Sequence, residues 1–466
     1  MEKSRLVSVF RQLDRRDIRL FGKFVRSPYF NQQETLTQLW DYLAEHVEAG
    51  KDRLEKAVVF GSLFPGKPYN DQAIRLMMSE LHQLIGQYIS CQQLFSDPLK
   101  LHYLQATGWQ NRQNVVQFER SLVLAEKIAE GVEQESADLH WDAYRIGLEK
   151  YMFTARSAPA GAFDFSALVH HIDAAYLAAR LRLACLAFTH KTVYGLESQF
   201  HFLDELLGYV KQSELLRSPL VGVYYYCYLS LRNSEQAEHF QAFKTILIGH
   251  GKSFSTAELR DLYLFAINYC IRKVNENQLN FFFQVMDLYK EGLQTGSLLE
   301  NGQLSRFTYH NIVAAALQTG EYAWAEHFIH DYKNLLDKPY RESSYSFNLA
   351  RLAYRRKQYD IALPLLQKAN YRDLLLNLAA KTLLLKIYYE LAEYDLLHAH
   401  LTAMKTFIRR KRVIGYHHDN YLKIVRFTVK LLTINRYDRA ACAALRQEIE
   451  QDTTLTEREW FLEQLG

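Results

Sequence analysis

Glu321-Tyr322-Ala323-Trp324-Ala325 returns three times in altered form, as Gln358-Tyr359-Asp360-Ile361-Ala362, Glu393-Tyr394-Asp395-Leu396-Leu397 and Arg436-Tyr437-Asp438-Arg439-Ala440. The tyrosines lie 37, 35 and 43 residues apart. Recurrence at that period is what stacked helix pairs leave in a sequence, because each pair buries its apolar face against the next. Residues 307–318 read as the helix before the first phrase, and Gly320 stands where that helix must stop, in a backbone conformation that favours glycine. The tyrosine is expected to pack across the turn. Three residues on, Ala325, Ala362 and Ala440 would let two helices approach closely, with Leu397 there in the third unit.

Composition agrees with an all-helical chain. At 466 residues it exceeds what one core supports, so several domains or an elongated array are expected. Hydrophobic residues make up 48% and charged ones 23%, the balance of an ordinary globular protein. Only 8 prolines occur, so few positions break a helix. A net charge of +4 implies no global field for nucleic acid or an anionic membrane.

Three regions follow. Residues 1–95 read as a compact helical module: Asp14 caps a helix carrying Ile18, Phe21, Phe24 and Val25, Ser27-Pro28 ends it, and a second starts near Gln33. A short helix over 54–63 and a long one from Asn70 or Asp71 complete it, the latter with Ile74, Met77, Met78, Leu81, Leu84, Ile85 and Tyr88 inward. That helix-turn-helix offers a single arginine, Arg75, on its outward face, which is thin for a DNA reader. Residues 96–300 continue as amphipathic helices with turns at Gly108, Gly131, 158–161, Gly195, Ser218-Pro219 and 249–251. The runs Tyr224-Tyr225-Tyr226-Cys227-Tyr228 and Phe281-Phe282-Phe283 suit helices buried between neighbours. Residues 301–466 hold the phrases and a capping C-terminal helix.

Catalytic motifs are lacking: no phosphate-binding glycine loop, nucleophile elbow or His-Glu-x-x-His occurs. His327, His330 and Asp331 share a helix without a third-ligand partner in view, and the five cysteines form no Cys-x-x-Cys pair. No enzyme, cofactor or metal is therefore expected. No signal-type core or 18-residue apolar run appears, which points to a cytoplasmic protein without membrane contact. Between Lys405 and Arg439 ten basic residues face two acids, whereas 448–463 is mostly acidic. The basic stretch is expected to pair with acidic neighbours, and Arg409, Arg410, Lys411 and Arg412 form a possible patch for RNA or another anionic partner.

On the four phrases, residues 301 to about 450 resemble tetratricopeptide repeats. Departures are the turn glycine, which is Lys357, Ala392 and Asn435 in the later units, and the last interval, which implies an insertion around 409–420. The resemblance implies a right-handed superhelical solenoid whose first helices line a concave, ligand-binding wall. Aligned on the tyrosines, that wall would present His310, Asn311, Asn348, Arg351, Tyr354, Arg355, Lys386 and Tyr389, with Asn311 and Asn348 at the position whose amide holds a peptide backbone. Its arginines and lysine imply an acidic peptide as guest. The expected function is a non-enzymatic protein-binding scaffold. The alternative is a regulator, similar in architecture to peptide-sensing bacterial regulators, with residues 1–95 as a nucleic-acid-contacting output and the repeats as sensor.

Overall fold

In a computed structural model the chain is all-helical: among the described residues it is 78% helix, with 23 α-helices, and the one sheet is a two-stranded hairpin. Every residue is described except 48–50, 158–162, 197, 277, 369–372, 411–415 and 453. Two compact units divide the chain, Met1–Tyr176 and Leu177–Gly466.

The first unit holds α1 (Arg5–Phe10), α2 (Arg15–Val25), α3 (Glu34–His46), α4 (Lys56–Leu63), α5 (Asp71–Ser96), α6 (Pro98–Gln110), α7 (Val115–Glu130), α8 (Ala137–Ser157) and the start of α9 (Ser166–Tyr194). Capping sets many starts. Ser4, Asp14, Asn70, Asp97 and Asn114 each accept a hydrogen bond from the backbone N–H three residues on, satisfying a donor the helix cannot use internally. Helices α1 to α5 enclose one core from Leu6 to Tyr88, and all seven residues expected inward on α5 are buried. Its centre is aromatic. Trp40 lies 4.4 Å from Phe21 and 4.8 Å from Phe10, and the Tyr88 hydroxyl donates to Asp17 Oδ1 at 3.0 Å. Contrary to expectation, α6 runs through Gly108; an isolated glycine costs a helix only about 1 kcal/mol.

The second unit continues α9 and adds α10 (Leu203–Gln212), α11 (Pro219–Arg232), α12 (Ala237–Gly249), α13 (Thr256–Asn275) and α14 (Phe281–Gln294). In α11, Tyr224, Tyr225, Cys227 and Tyr228 are buried, as a helix apolar on most sides requires. The phenylalanine run behaves differently: Phe281 is buried, but Phe283 faces solvent. Strands β1 (Leu299–Glu300) and β2 (Gln303–Leu304) pair across Asn301 and Gly302, whose φ values of 51° and 74° make the tight turn that Asn-Gly favours. This hairpin, absent from the sequence-based expectation, is a connection and not a layer.

Nine helices follow: α15 (Arg306–Gln318), α16 (Tyr322–Asp331), α17 (Lys338–Arg355), α18 (Tyr359–Lys368), α19 (Leu374–Glu390), α20 (Tyr394–Arg410), α21 (Tyr416–Thr433), α22 (Arg439–Gln451) and α23 (Arg458–Leu465). Helices adjacent in sequence from α15 to α21 pack on each other, while α15 also meets α17 and α17 meets α19. The first three phrases share one backbone turn. Gly320, Lys357 and Ala392 have φ of 78°, 60° and 59°, and the next N–H in each case bonds back over the turn, Glu321 to Ala316, Gln358 to Ala353 and Glu393 to Tyr388, all at 2.9 Å. That pattern ties up the terminal carbonyls of the first helix, whatever the residue at its left-handed position. Behind each turn Ala325, Ala362 and Leu397 are fully buried.

The fourth phrase departs from this geometry. Asp438 is the N-cap of α22, accepting from Ala441 N–H at 3.0 Å, so the helix begins two residues later and Tyr437 is 96% exposed. Tyr394 is exposed as well, whereas Tyr322 and Tyr359 are partly buried and Tyr359 packs on Tyr354. The long last interval is taken up by α20, which has 17 residues where α16 and α18 have 10, and part of the expected insertion, 411–415, lies outside the described residues.

Candidate functional site

A cleft of about 690 Å³ opens along α15, α17 and α19, with the segment Thr456–Glu463 forming another part of its lining. Four of the eight nominated residues line it, namely Arg351, Tyr354, Arg355 and Lys386. Their spacing explains this. Arg351 and Arg355 lie one turn apart on α17, and Tyr354 is on the same side, three residues after Arg351.

The other four are placed elsewhere. Asn348 is fully buried, and its amide meets His310 Nδ1 at 3.0 Å instead of a guest. Burial lowers the His310 pKa to about 4, Arg351 adds to the effect, and the imidazole is neutral at ordinary pH. Asn311 is exposed but does not line the cleft. Tyr389 is buried, receives a hydrogen bond from Arg436 at 2.5 Å and packs edge-on against Trp460, with centroids 5.4 Å apart.

Arg351 does structural work. Its Nη1 donates to the His310 carbonyl at 3.2 Å and to Asn348 Oδ1 at 3.4 Å, tying α17 to α15. Burial brings its pKa down to about 10, with Glu457 opposing and Arg355 reinforcing that shift, so it remains a cation. Arg355 is exposed and donates to Gln318 Oε1 at 2.6 Å.

Sequence reasoning missed the carboxylates that answer this wall. Glu457 pairs with Lys386, whose ammonium also stands 5.5 Å over the Trp460 ring. Glu390 is the denser centre: Tyr354 and Tyr359 donate their hydroxyls to it, Lys357 Nζ lies at 2.8 Å and Trp460 Nε1 at 2.8 Å. Burial pushes the Glu390 pKa up, but these four donors outweigh it and hold the carboxyl below its usual value. The acidic composition of 448–463 was the available signal; its direction of packing was not.

The basic stretch is likewise partly neutralised. Lys423 meets Asp452 at 2.8 Å, while Lys430 and Arg426 meet Glu448 at 2.5 and 3.3 Å. Arg409 and Arg410 are exposed at the end of α20, and Lys411 and Arg412 lie outside the described residues. On α5, Arg75 is bound to Asp71 at 2.6 Å, one turn back on the same helix.

His330 Nδ1 receives the Tyr345 hydroxyl at 3.0 Å, and among the described residues no group of three His, Cys, Asp or Glu is arranged to hold a metal. The five cysteines are free. Among the described residues no helix is long and apolar enough to cross a membrane. Comparison with family models, curated proteins and solved structures finds no match.

Proposed function

We propose that the chain is a non-enzymatic binding scaffold that takes an acidic peptide segment of a partner protein in the cleft along α15, α17 and α19. The observation that carries this reading is the gathering of Arg351, Arg355, Lys386 and Tyr354 on one cleft. A guanidinium beside flat apolar area suits a carboxylate followed by an apolar or aromatic residue. In this reading the helix pairs form a right-handed superhelix of tetratricopeptide type, the cleft is its concave side, and the protein works in a bacterial cytoplasm. Three turns with one bond pattern and the packing of α15 on α17 and α17 on α19 support it.

Arg355 is the first point of contact, being exposed and hydrogen-bonded to Gln318. Lys386 is shared: a guest carboxylate must compete with Glu457 for it. The test is a selection from a random peptide display library on the full chain. Enrichment of acidic residues next to aromatic ones, lost in Arg355→Glu while helical content is unchanged, is the expected outcome. Peptides without acidic bias, or equal enrichment by the variant, would remove the assignment.

A further inference from the structure

A row of positive charge without carboxylate partners among the described residues lies in the other unit, on α2. With 3.6 residues per turn, Arg15, Arg16, Arg19 and Lys23 fall within an arc of about 100° on that helix. All four are exposed, and among the described residues none has a carboxylate within ion-pair distance. Arg15, Arg19 and Lys23 follow one another at four-residue steps, which spaces their attachment points by about 6 Å along the axis. The opposite side of α2 is spent on the core through Phe21 and Val25, so this face is held rigidly.

A second feature follows α2 in the chain. Just past the end of α2, Phe30 stacks on Phe24 with centroids 4.0 Å apart, and Tyr29 stands edge-on to Phe30 at 5.0 Å while 87% exposed. A tyrosine left this bare, on a braced aromatic base four residues past the helix that carries the cations, presents a free ring face. We propose that α2 and Tyr29 bind single-stranded nucleic acid, the cations following the phosphates and the tyrosine stacking on an unpaired base.

Alternative occupants fit less well. Arginines can read guanine edges in a duplex groove, but the bases of a duplex are already stacked on one another and would leave the bare Tyr29 ring without a role. A helix lying in a membrane interface needs a broad apolar face, and that of α2 is already buried. The surface is independent of the peptide cleft, and neither proposal depends on the other.

The experiment titrates the full chain against a fluorescein-labelled single strand of about 15 nucleotides, the upper scale of single-strand sites. The matching duplex and phosphatidylserine vesicles are run in parallel. The single strand is expected to bind more tightly than either, with affinity falling between about 50 and about 200 mM salt. The combined variant Arg15→Glu, Arg19→Glu, Lys23→Glu should lose about tenfold or more with an unchanged circular dichroism spectrum. Tyr29→Ala should lose about tenfold while keeping the salt slope, because stacking releases no counterions. No binding at low salt, full binding by the triple variant, or preference for duplex or vesicles would overturn the proposal.

Discussion

The chain carries two basic surfaces of opposite kind. On α2 the cations stand in solvent with no acid among the described residues to meet them, whereas on the cleft Lys386 is paired with Glu457 and Lys357 with Glu390. The sequence alone singles out the cleft and the stretch after Lys405 and passes over α2. Packing reverses that order. What makes a cation available is the absence of a carboxylate brought in by another element, and that is a property of the fold.

Four experiments press on this contrast. The largest effect belongs to Trp460→Ala. Trp460 is buried, donates to Glu390 and packs on Tyr389, so truncation should cost about 3–5 kcal/mol in a denaturant titration. Loss within experimental error would mean that α23 is not part of the cleft's support.

Next is Lys386→Glu, which sets two carboxylates against each other at a mostly buried position and should cost about 3 kcal/mol. The same reversal at Arg19 on α2 should stay within about 0.5 kcal/mol, since nothing there is broken. Equal costs at the two sites would erase the distinction between closed and open charge.

The third concerns pH. The folded Glu390 carboxyl titrates below its unfolded value, so its contribution is fully present above the unfolded pKa and is lost as pH falls through the folded one. Denaturation midpoints from about pH 6 downward should fall more steeply for the native chain than for Glu390→Gln as acid approaches the ordinary glutamate range near 4.3. Parallel slopes would show that the four donors do not favour the ionised form.

The smallest effect is at a turn. Ala392 holds a left-handed backbone at φ 59° with no side-chain bond to offset it, and Ala392→Gly should stabilise by about 1 kcal/mol. Lys357→Gly relieves a similar strain but removes the contact with Glu390, so its gain should be smaller or reversed.

How much was legible in the sequence follows from what each signal encodes. The period of the phrases and the inward residues of α5 are local facts of helix geometry, and they appear in the structure where expected. The fourth phrase shows the limit. Tyr437-Asp438 copies Tyr359-Asp360 and Tyr394-Asp395, yet Asp360 and Asp395 lie inside the first helical turn while Asp438 stands before its helix as the cap. Residue identity at one position does not decide between those roles; the backbone leaving the preceding helix does. The cleft was half legible for the same reason. Alignment on the tyrosines brought out Arg351, Arg355, Tyr354 and Lys386, but Asn348 is buried against His310, a contact between residues 38 apart in the chain. Glu390 gave no local hint, and the acidity of 448–463 did not say that Glu457 would return to Lys386 or Trp460 to Glu390.

Lys357 shows what a costly backbone can accomplish. Glycine would take the bend without penalty but would end at its own Cα. Lysine, turned by the same bend, sends its ammonium out to Glu390, where Tyr354, Tyr359 and Trp460 also arrive. Local strain thereby becomes a strut between one pair of helices and the next, and rigidity is gained at the place where a looser hinge would otherwise form.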